Sequence, residues 1–129
     1  MAINVLVTDD SGVMRSMIIK SMKMCGMQLG AVYQAANGQE GLEQLDGNWI
    51  DLVLVDINMP VMNGEEMIQR MKAEAATADI PVIVISTEGS QTRIDRLEQL
   101  GVHFIHKPFT PEKLHEVVAA TMGTGAFDE

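Results

Sequence analysis

Leu52-Val53-Leu54-Val55 is an unbroken apolar run that stops at a carboxylate, Asp56. A strand with no polar residue on either face belongs in a parallel sheet covered by helices on both sides. The carboxyl ends of such strands open into the functional crevice. Two other segments bring charge to the same end. Ile3-Asn4-Val5-Leu6-Val7-Thr8 runs into Asp9-Asp10, and Val102-His103-Phe104-Ile105-His106 runs into Lys107-Pro108. Three carboxylates and one ammonium at the ends of three strands make a site.

The rest of the chain supports that sheet. Strand patterns over 3–8, 31–35, 51–56, 82–86 and 102–106 alternate with helix patterns over 13–25, 38–46, 65–74, 90–100 and 111–122. Asn37 caps the second helix with Glu40 three residues on, and Gly26, Gly47 and Gly101 sit just past helix ends. Thr110-Pro111 supplies a cap followed by proline at the first helical position. Five βα units with right-handed crossovers give an α/β fold, a doubly wound five-stranded parallel sheet of strand order 2-1-3-4-5. Asp9, Asp10 and Asp56 then converge, because strands 1 and 3 are neighbours. Residues 1–122 form one domain, and Gly123 to Glu129 reads as a short mobile tail.

Composition narrows the function. At 129 residues, with 47% hydrophobic and 21% charged positions, this is an ordinary globular domain. A formal charge of −9 opposes contact with a nucleic-acid backbone. No signal-peptide pattern opens the chain and no apolar run reaches membrane-spanning length, so the cytoplasm is the expected compartment. The single cysteine, Cys25, lies in an apolar run and reads as a reduced core thiol. Eleven methionines are unusual. Met14, Met17, Ile18, Met22 and Cys25 recur at helical spacing and read as core, whereas Met24 and Met27 fall off that face.

Carboxylates crowded together must take up a proton or bind a cation. An all-oxygen set with no histidine or cysteine ligand suits a hard ion that keeps some water, Mg²⁺ above all. Ser86 and Thr87 close the run Val82-Ile83-Val84-Ile85 and bring a hydroxyl to the same crevice. Those parts suit phosphoryl transfer to a carboxylate. Asp56 is the nucleophile, while Lys107 and Ser86 neutralise and orient the incoming group.

The motifs Val7-Thr8-Asp9-Asp10, Asp56-Ile57-Asn58-Met59-Pro60 with Asn63-Gly64, Ile85-Ser86-Thr87-Glu88 and Lys107-Pro108-Phe109 carry a family resemblance. To about residue 122 the chain resembles a response-regulator receiver domain of the stand-alone CheY-like kind, a flavodoxin-like (βα)5 three-layer sandwich. The resemblance implies that Asp56 is phosphorylated by a histidine kinase or small phosphodonors. It implies Mg²⁺ at Asp9, Asp10, Asp56 and the Asn58 backbone carbonyl, and phosphoryl contacts from Lys107 and Ser86. Ser86 and Phe104 stand at the switch positions, and Asn58 and Glu88 where relatives tune hydrolysis and meet phosphatases. The Lys107-Pro108 bond is implied to be cis.

The output implied is phosphorylation-dependent protein binding at the face of the fourth helix, last strand and last helix, around Arg93, Arg96, His103, His106 and Lys113. A flagellar switch protein is one candidate target, and a monomer is expected. Enzyme activity extends only to self-phosphorylation and autodephosphorylation. Two positions depart from the pattern. Thr87 stands where receivers carry alanine or glycine, and Phe104 where chemotaxis members carry tyrosine. Alternatives are a phosphate sink or a receiver cut from a larger regulator. A haloacid-dehalogenase-type phosphohydrolase is more distant, because it needs Asp-x-Asp where this chain has Asp9-Asp10-Ser11. A flavin binder fails, since two aspartates would repel the flavin phosphate.

Overall fold

The computed structural model describes residues 2–127. Its elements run β1 (Ile3–Thr8), α1 (Gly12–Met24), β2 (Leu29–Ala35), α2 (Gly38–Gly47), β3 (Leu52–Val55), α3 (Gly64–Ala73), β4 (Val82–Ser86), α4 (Gln91–Gln99), β5 (His103–His106) and α5 (Pro111–Met122). The five strands are parallel in the order β2-β1-β3-β4-β5, as the alternation predicts. Boundaries agree to a residue or so, except that β2 starts two residues early, at Leu29.

The period-two rule sorts the core into two layers. Ile3, Val5 and Val7 of β1, Leu52 and Leu54 of β3, and Ile83 and Ile85 of β4 face α1 and α5. Their neighbours Leu6, Val53, Val55, Val82 and Val84 face α2, α3 and α4. Every residue of β3 and β4 is buried, which explains why neither strand carries a polar residue before its end. Each fully buried Leu or Ile contributes about 1.5–3 kcal/mol relative to exposure. The edge strands β2 and β5 are instead mostly exposed or half-buried, with one buried residue each.

Helix ends form where the sequence signals them. Asn37 Oδ1 accepts the Glu40 N–H at 2.9 Å while Glu40 Oε1 accepts the Ala36 N–H at 3.1 Å, closing α2's start from both sides. Thr110 caps α5 by accepting from Lys113 N at 3.1 Å, with Pro111 opening the helix. Gly26 and Gly101 take φ of +88° and +82° just past α1 and α4. Gly47, by contrast, is the last residue of α2 itself.

The methionine reading needs two corrections. Ile18 and Met22 are buried and Met14 and Cys25 half-buried, but Met17 on the same helix is exposed. Met27 is buried, because the chain after α1 turns back under the sheet. The tail also departs from expectation. Thr124–Ala126 form a 3-10 turn, Ala126 O accepts the Gln28 N–H at 2.8 Å, and Phe127 bridges to Met27. Phe127 is 8% exposed and stacks on His115 with ring centroids 4.0 Å apart. Gly123 and Gly125 suggest flexibility, yet the Ala126-Phe127 pair covers core that α5 leaves open. The last two positions of the expected tail, 128 and 129, lie outside the described residues.

Candidate functional site

β1 delivers Asp9 to the end of the sheet, and β3, its neighbour in register from Val5↔Leu52 to Thr8↔Val55, delivers Asp56. The Asp56 N–H donates to Thr8 O at 2.9 Å, so the two strand ends are tied at the point where the carboxylates begin. Carboxylate oxygens of Asp9, Asp10 and Asp56 lie within 4.8 Å of one another. Asp9 is 1% exposed, Asp56 half-buried and Asp10 exposed. The convergence expected from the strand order is present.

Lys107 reaches the pair from the far side. Its Nζ donates to Asp9 Oδ2 at 2.9 Å and to Asp56 Oδ2 at 3.0 Å. Burial by itself would lower the Lys107 pKa. The hydrogen bonds and Coulomb attraction of Asp9 and Asp56 outweigh it, and the ammonium titrates above its ordinary range. β4 and the Lys107-Pro108 turn place this group: Lys107 N–H donates to Ser86 O at 2.9 Å, and the Lys107-Pro108 bond is cis. The other carboxylate oxygens are partly engaged. Asp9 Oδ1 accepts from Ser11 N at 2.9 Å and Asp56 Oδ1 from Ile57 N at 2.7 Å. The Asp10 carboxylate makes no hydrogen bond or ion pair among the described residues, so it stands unclaimed within the cluster.

Asp56 also depends on a glycine. A Cβ on Gly64 would collide with the Asp56 backbone carbonyl, and Gly64 N–H donates to Ile57 O at 2.8 Å. The Asn63-Gly64 pair therefore starts α3 and lets it approach the end of β3. Asn63 Oδ1 accepts from Glu66 N at 2.9 Å, while Gly64 has no side chain to hold the strand end away. Between them, Met59 and Met62 are buried, and Val61 is exposed at φ +67°, an uncommon conformation for a β-branched residue.

The other sequence-predicted positions fall around this centre. Ser86 ends β4, fully buried, and its hydroxyl accepts the Glu88 N–H at 3.2 Å rather than bonding a carboxylate. Thr87 and Asn58 are exposed in their loops. Phe104 is half-buried on β5, packed against the core beneath α4, with its ring 4.7 Å from that of His106. Among the described residues, Lys113 pairs only with Glu116 on its own helix.

Motif reading missed two partners. Arg15 in the first turn of α1 donates from Nη1 to Asp9 O at 2.6 Å, adding a second cation beside the acidic pair. Arg93 meets Glu88 Oε1 at 3.0 Å and lies 3.4 Å from Glu65, which Arg96 also holds by two 3.0 Å hydrogen bonds. The Arg93 Nε is close enough to Glu65 to attract it but is not aligned to hydrogen-bond. This network joins the first turn of α3 to α4 and fixes the Glu88 side chain. No local pattern signals a pairing 31 residues apart.

The helix-covered parallel sheet, with three carboxylates and a lysine gathered at its carboxyl ends, places the chain among doubly wound α/β domains, whose crevice opens at that edge. The response regulator receiver domain family matches residues 5–119, and the chain belongs to that family. It is 37% identical to chemotaxis protein CheY1 of Helicobacter pylori over 121 residues, 92% of this chain and 96% of that one. Its structure is similar to chemotaxis protein CheY4 of Vibrio cholerae, with TM-score 0.82 and 28% identity, covering 95% of this chain and 100% of that one. A chain of the CheX-CheY-BeF3-Mg+2 complex from Borrelia burgdorferi matches with TM-score 0.83 and 26% identity, covering 92% and 87%. The chain is a CheY-like receiver of two-component signalling. Among the described residues, no helix is long and apolar enough to cross a membrane.

Proposed function

We propose that this chain accepts a phosphoryl group on Asp56 from a histidine kinase and signals by binding a partner according to its phosphorylation state. One observation carries the reading. The Lys107 ammonium bridges Asp9 and Asp56 at 2.9 and 3.0 Å, with the unclaimed carboxylate of Asp10 in the same cluster.

Asp56 is ionised and needs no base, so its carboxylate oxygen attacks the phosphorus directly. The phosphorus–nitrogen bond of a phosphohistidine donor breaks, and the imidazole leaves with its electron pair and takes up a proton. Lys107, its ammonium secured by two carboxylates, neutralises charge on the transferring oxygens. Three carboxylates against one lysine leave the cluster net negative, and its hard oxygen donors fit a divalent cation. Asp9, Asp10 and Asp56, with the Asn58 carbonyl, would hold Mg²⁺, which supplies further charge neutralisation at the attacking and phosphoryl oxygens. The chain of the Borrelia burgdorferi complex, whose name includes both BeF3 and Mg+2, supports that choice.

Signal output follows from the new charge. Phosphorylation puts acceptor oxygens at Asp56, and the Ser86 hydroxyl exchanges its Glu88 N–H contact for them. Phe104 then turns into the vacated space and alters the surface of α4, β5 and α5. A target such as a flagellar switch protein reads the two packings by its different affinity for each. Asn58 and Glu88 tune hydrolysis and meet a phosphatase, and the compartment is the cytoplasm. The test is phosphorylation by an acyl phosphate or phosphoramidate with Mg²⁺. Wild type should form an acid-stable, base-labile phosphoprotein and Asp56→Asn none. Label recovered on Asp9 or Asp10 of the wild type would overturn the assignment.

A further inference from the structure

One groove in the structure is nowhere near Asp56. It has a volume of about 750 Å³ and lies at the amino ends of β3 and β4, between the end of α2 and the end of α3. Seven residues of extended chain at about 3.3 Å each put it roughly 20 Å from the phosphoryl site. Leu45 and Ile50 are buried in its wall, and Ile80 and Pro81 half-buried. Trp49 stands in its lining 80% exposed.

That tryptophan is fixed in place. Its Nε1–H donates to Asp51 Oδ1 at 3.0 Å, and its backbone carbonyl accepts from Asn4 Nδ2 at 2.9 Å. Asp51 is itself anchored, accepting the Asn4 N–H at 2.8 Å on its other oxygen. One hydrogen bond to an anchored carboxylate restrains the ring and a second restrains its backbone, so part of the freedom that binding would otherwise remove is already lost. Around it, Asp46, Glu74 and Asp79 are exposed, and none makes an ion pair among the described residues. The one cation in the lining, Arg70, is neutralised by Glu66 at 3.0 Å. The groove thus combines apolar walls, a rigid aromatic face and uncompensated negative charge.

We propose that this groove docks a basic segment of a partner protein, with an arginine or lysine over the Trp49 ring and an adjacent apolar side chain in the groove. Cations are drawn to aromatic faces, Trp most strongly, and the unpaired carboxylates add long-range attraction. A second copy of this chain fits less well, since each copy carries a net charge of −9. The Asp56 site is not involved, so the proposal stands apart from the phosphorylation reading.

The chain's single tryptophan makes the test direct, and the protein is used unphosphorylated. A short amidated peptide alternating arginine and leucine is titrated while Trp49 emission and amide shifts are followed. The expected result is saturable binding with a blue shift. Amide changes should be confined to the α2–β3 and α3–β4 connections. Trp49→Ala should weaken binding about tenfold. Asp46→Asn and Asp79→Asn should each weaken it about threefold, with a glutamate–leucine peptide silent. These side chains are exposed, so the variants should fold, and the amide spectrum checks that. Diffuse shifts, or binding that survives Trp49→Ala, would overturn the proposal. Equal affinity for free arginine would replace the segment with a small ligand. Concentration-dependent self-association lost in Trp49→Ala would replace it with a second copy.

Discussion

At the carboxyl ends of the strands Asp9 and Asp56 share one ammonium, while at the amino ends Asp46, Glu74 and Asp79 line the Trp49 groove and make no ion pair among the described residues. The difference follows burial. Asp9 is almost fully buried, and a carboxylate out of water must be paired or hydrogen-bonded, whereas the exposed carboxylates keep their water. Pairing at the phosphoryl end is nonetheless incomplete, since three carboxylates meet one lysine. In the proposed function that imbalance is what draws a cation to this end. At the groove end the unbalanced charge lies beside an exposed aromatic, a combination suited to recognition rather than to reaction.

The comparison breaks most easily at Gly64. Gly64→Ala must move either α3 or the end of β3, because the added methyl meets the Asp56 carbonyl. The expected loss is about 3 kcal/mol, or roughly 10 °C in melting temperature. Phosphorylation of the folded fraction should fall as well. The groove end should be spared, with the amide shifts of Trp49 and Ile80 unchanged. If those shifts move as far as that of Asp56, the two ends are not structurally separate.

Mg²⁺ distinguishes the two acidic clusters next. Binding at the Asp9, Asp10 and Asp56 cluster should stabilise the fold by about 2.7 kcal/mol at a hundredfold excess over the dissociation constant. Asp10→Ala should abolish the gain, and Asp46→Asn should leave it intact. A melting temperature indifferent to saturating Mg²⁺ would remove the metal from the proposed mechanism.

Much of this arrangement is legible in the sequence because it depends on period and position. The all-apolar run before Asp56 requires a strand covered on both faces, and the alternation of five βα units sets the strand order. Together these place Asp9, Asp10, Asp56 and Lys107 at one end. Contacts set by three-dimensional approach are not legible. Arg15 on Asp9, the tie between Arg96 and Glu65, and Phe127 folding back on Met27 all join residues with no sequence periodicity between them. Met17 shows the converse failure. It lies at core spacing on α1 but is exposed, because spacing identifies a face and not how far the neighbouring α5 covers it.

The smallest effect expected concerns Glu65, next to Gly64 at the phosphoryl end. The hydrogen bonds from Arg96 hold its pKa below the ordinary value, against the opposing effect of burial, with Coulomb attraction from Arg96 and Arg93 assisting. A carboxylate depressed on folding contributes stability above its unfolded pKa, about 4.3, and loses it as pH falls through the folded value. Glu65→Gln should therefore cost about 0.5–1 kcal/mol at neutral pH, a figure kept small because Arg96 is solvent-screened. The gap from wild type should begin to narrow as pH falls below the unfolded value and should close once pH has passed below the folded one, where the wild-type carboxylate is protonated too. Denaturant unfolding of both proteins across that range measures it. A gap that stayed constant would mean that Glu65 acts through packing, and that this pole is held by shape rather than charge. Asp79→Asn at the groove end supplies the control: with no ion pair to lose, it should leave stability unchanged at both pH values.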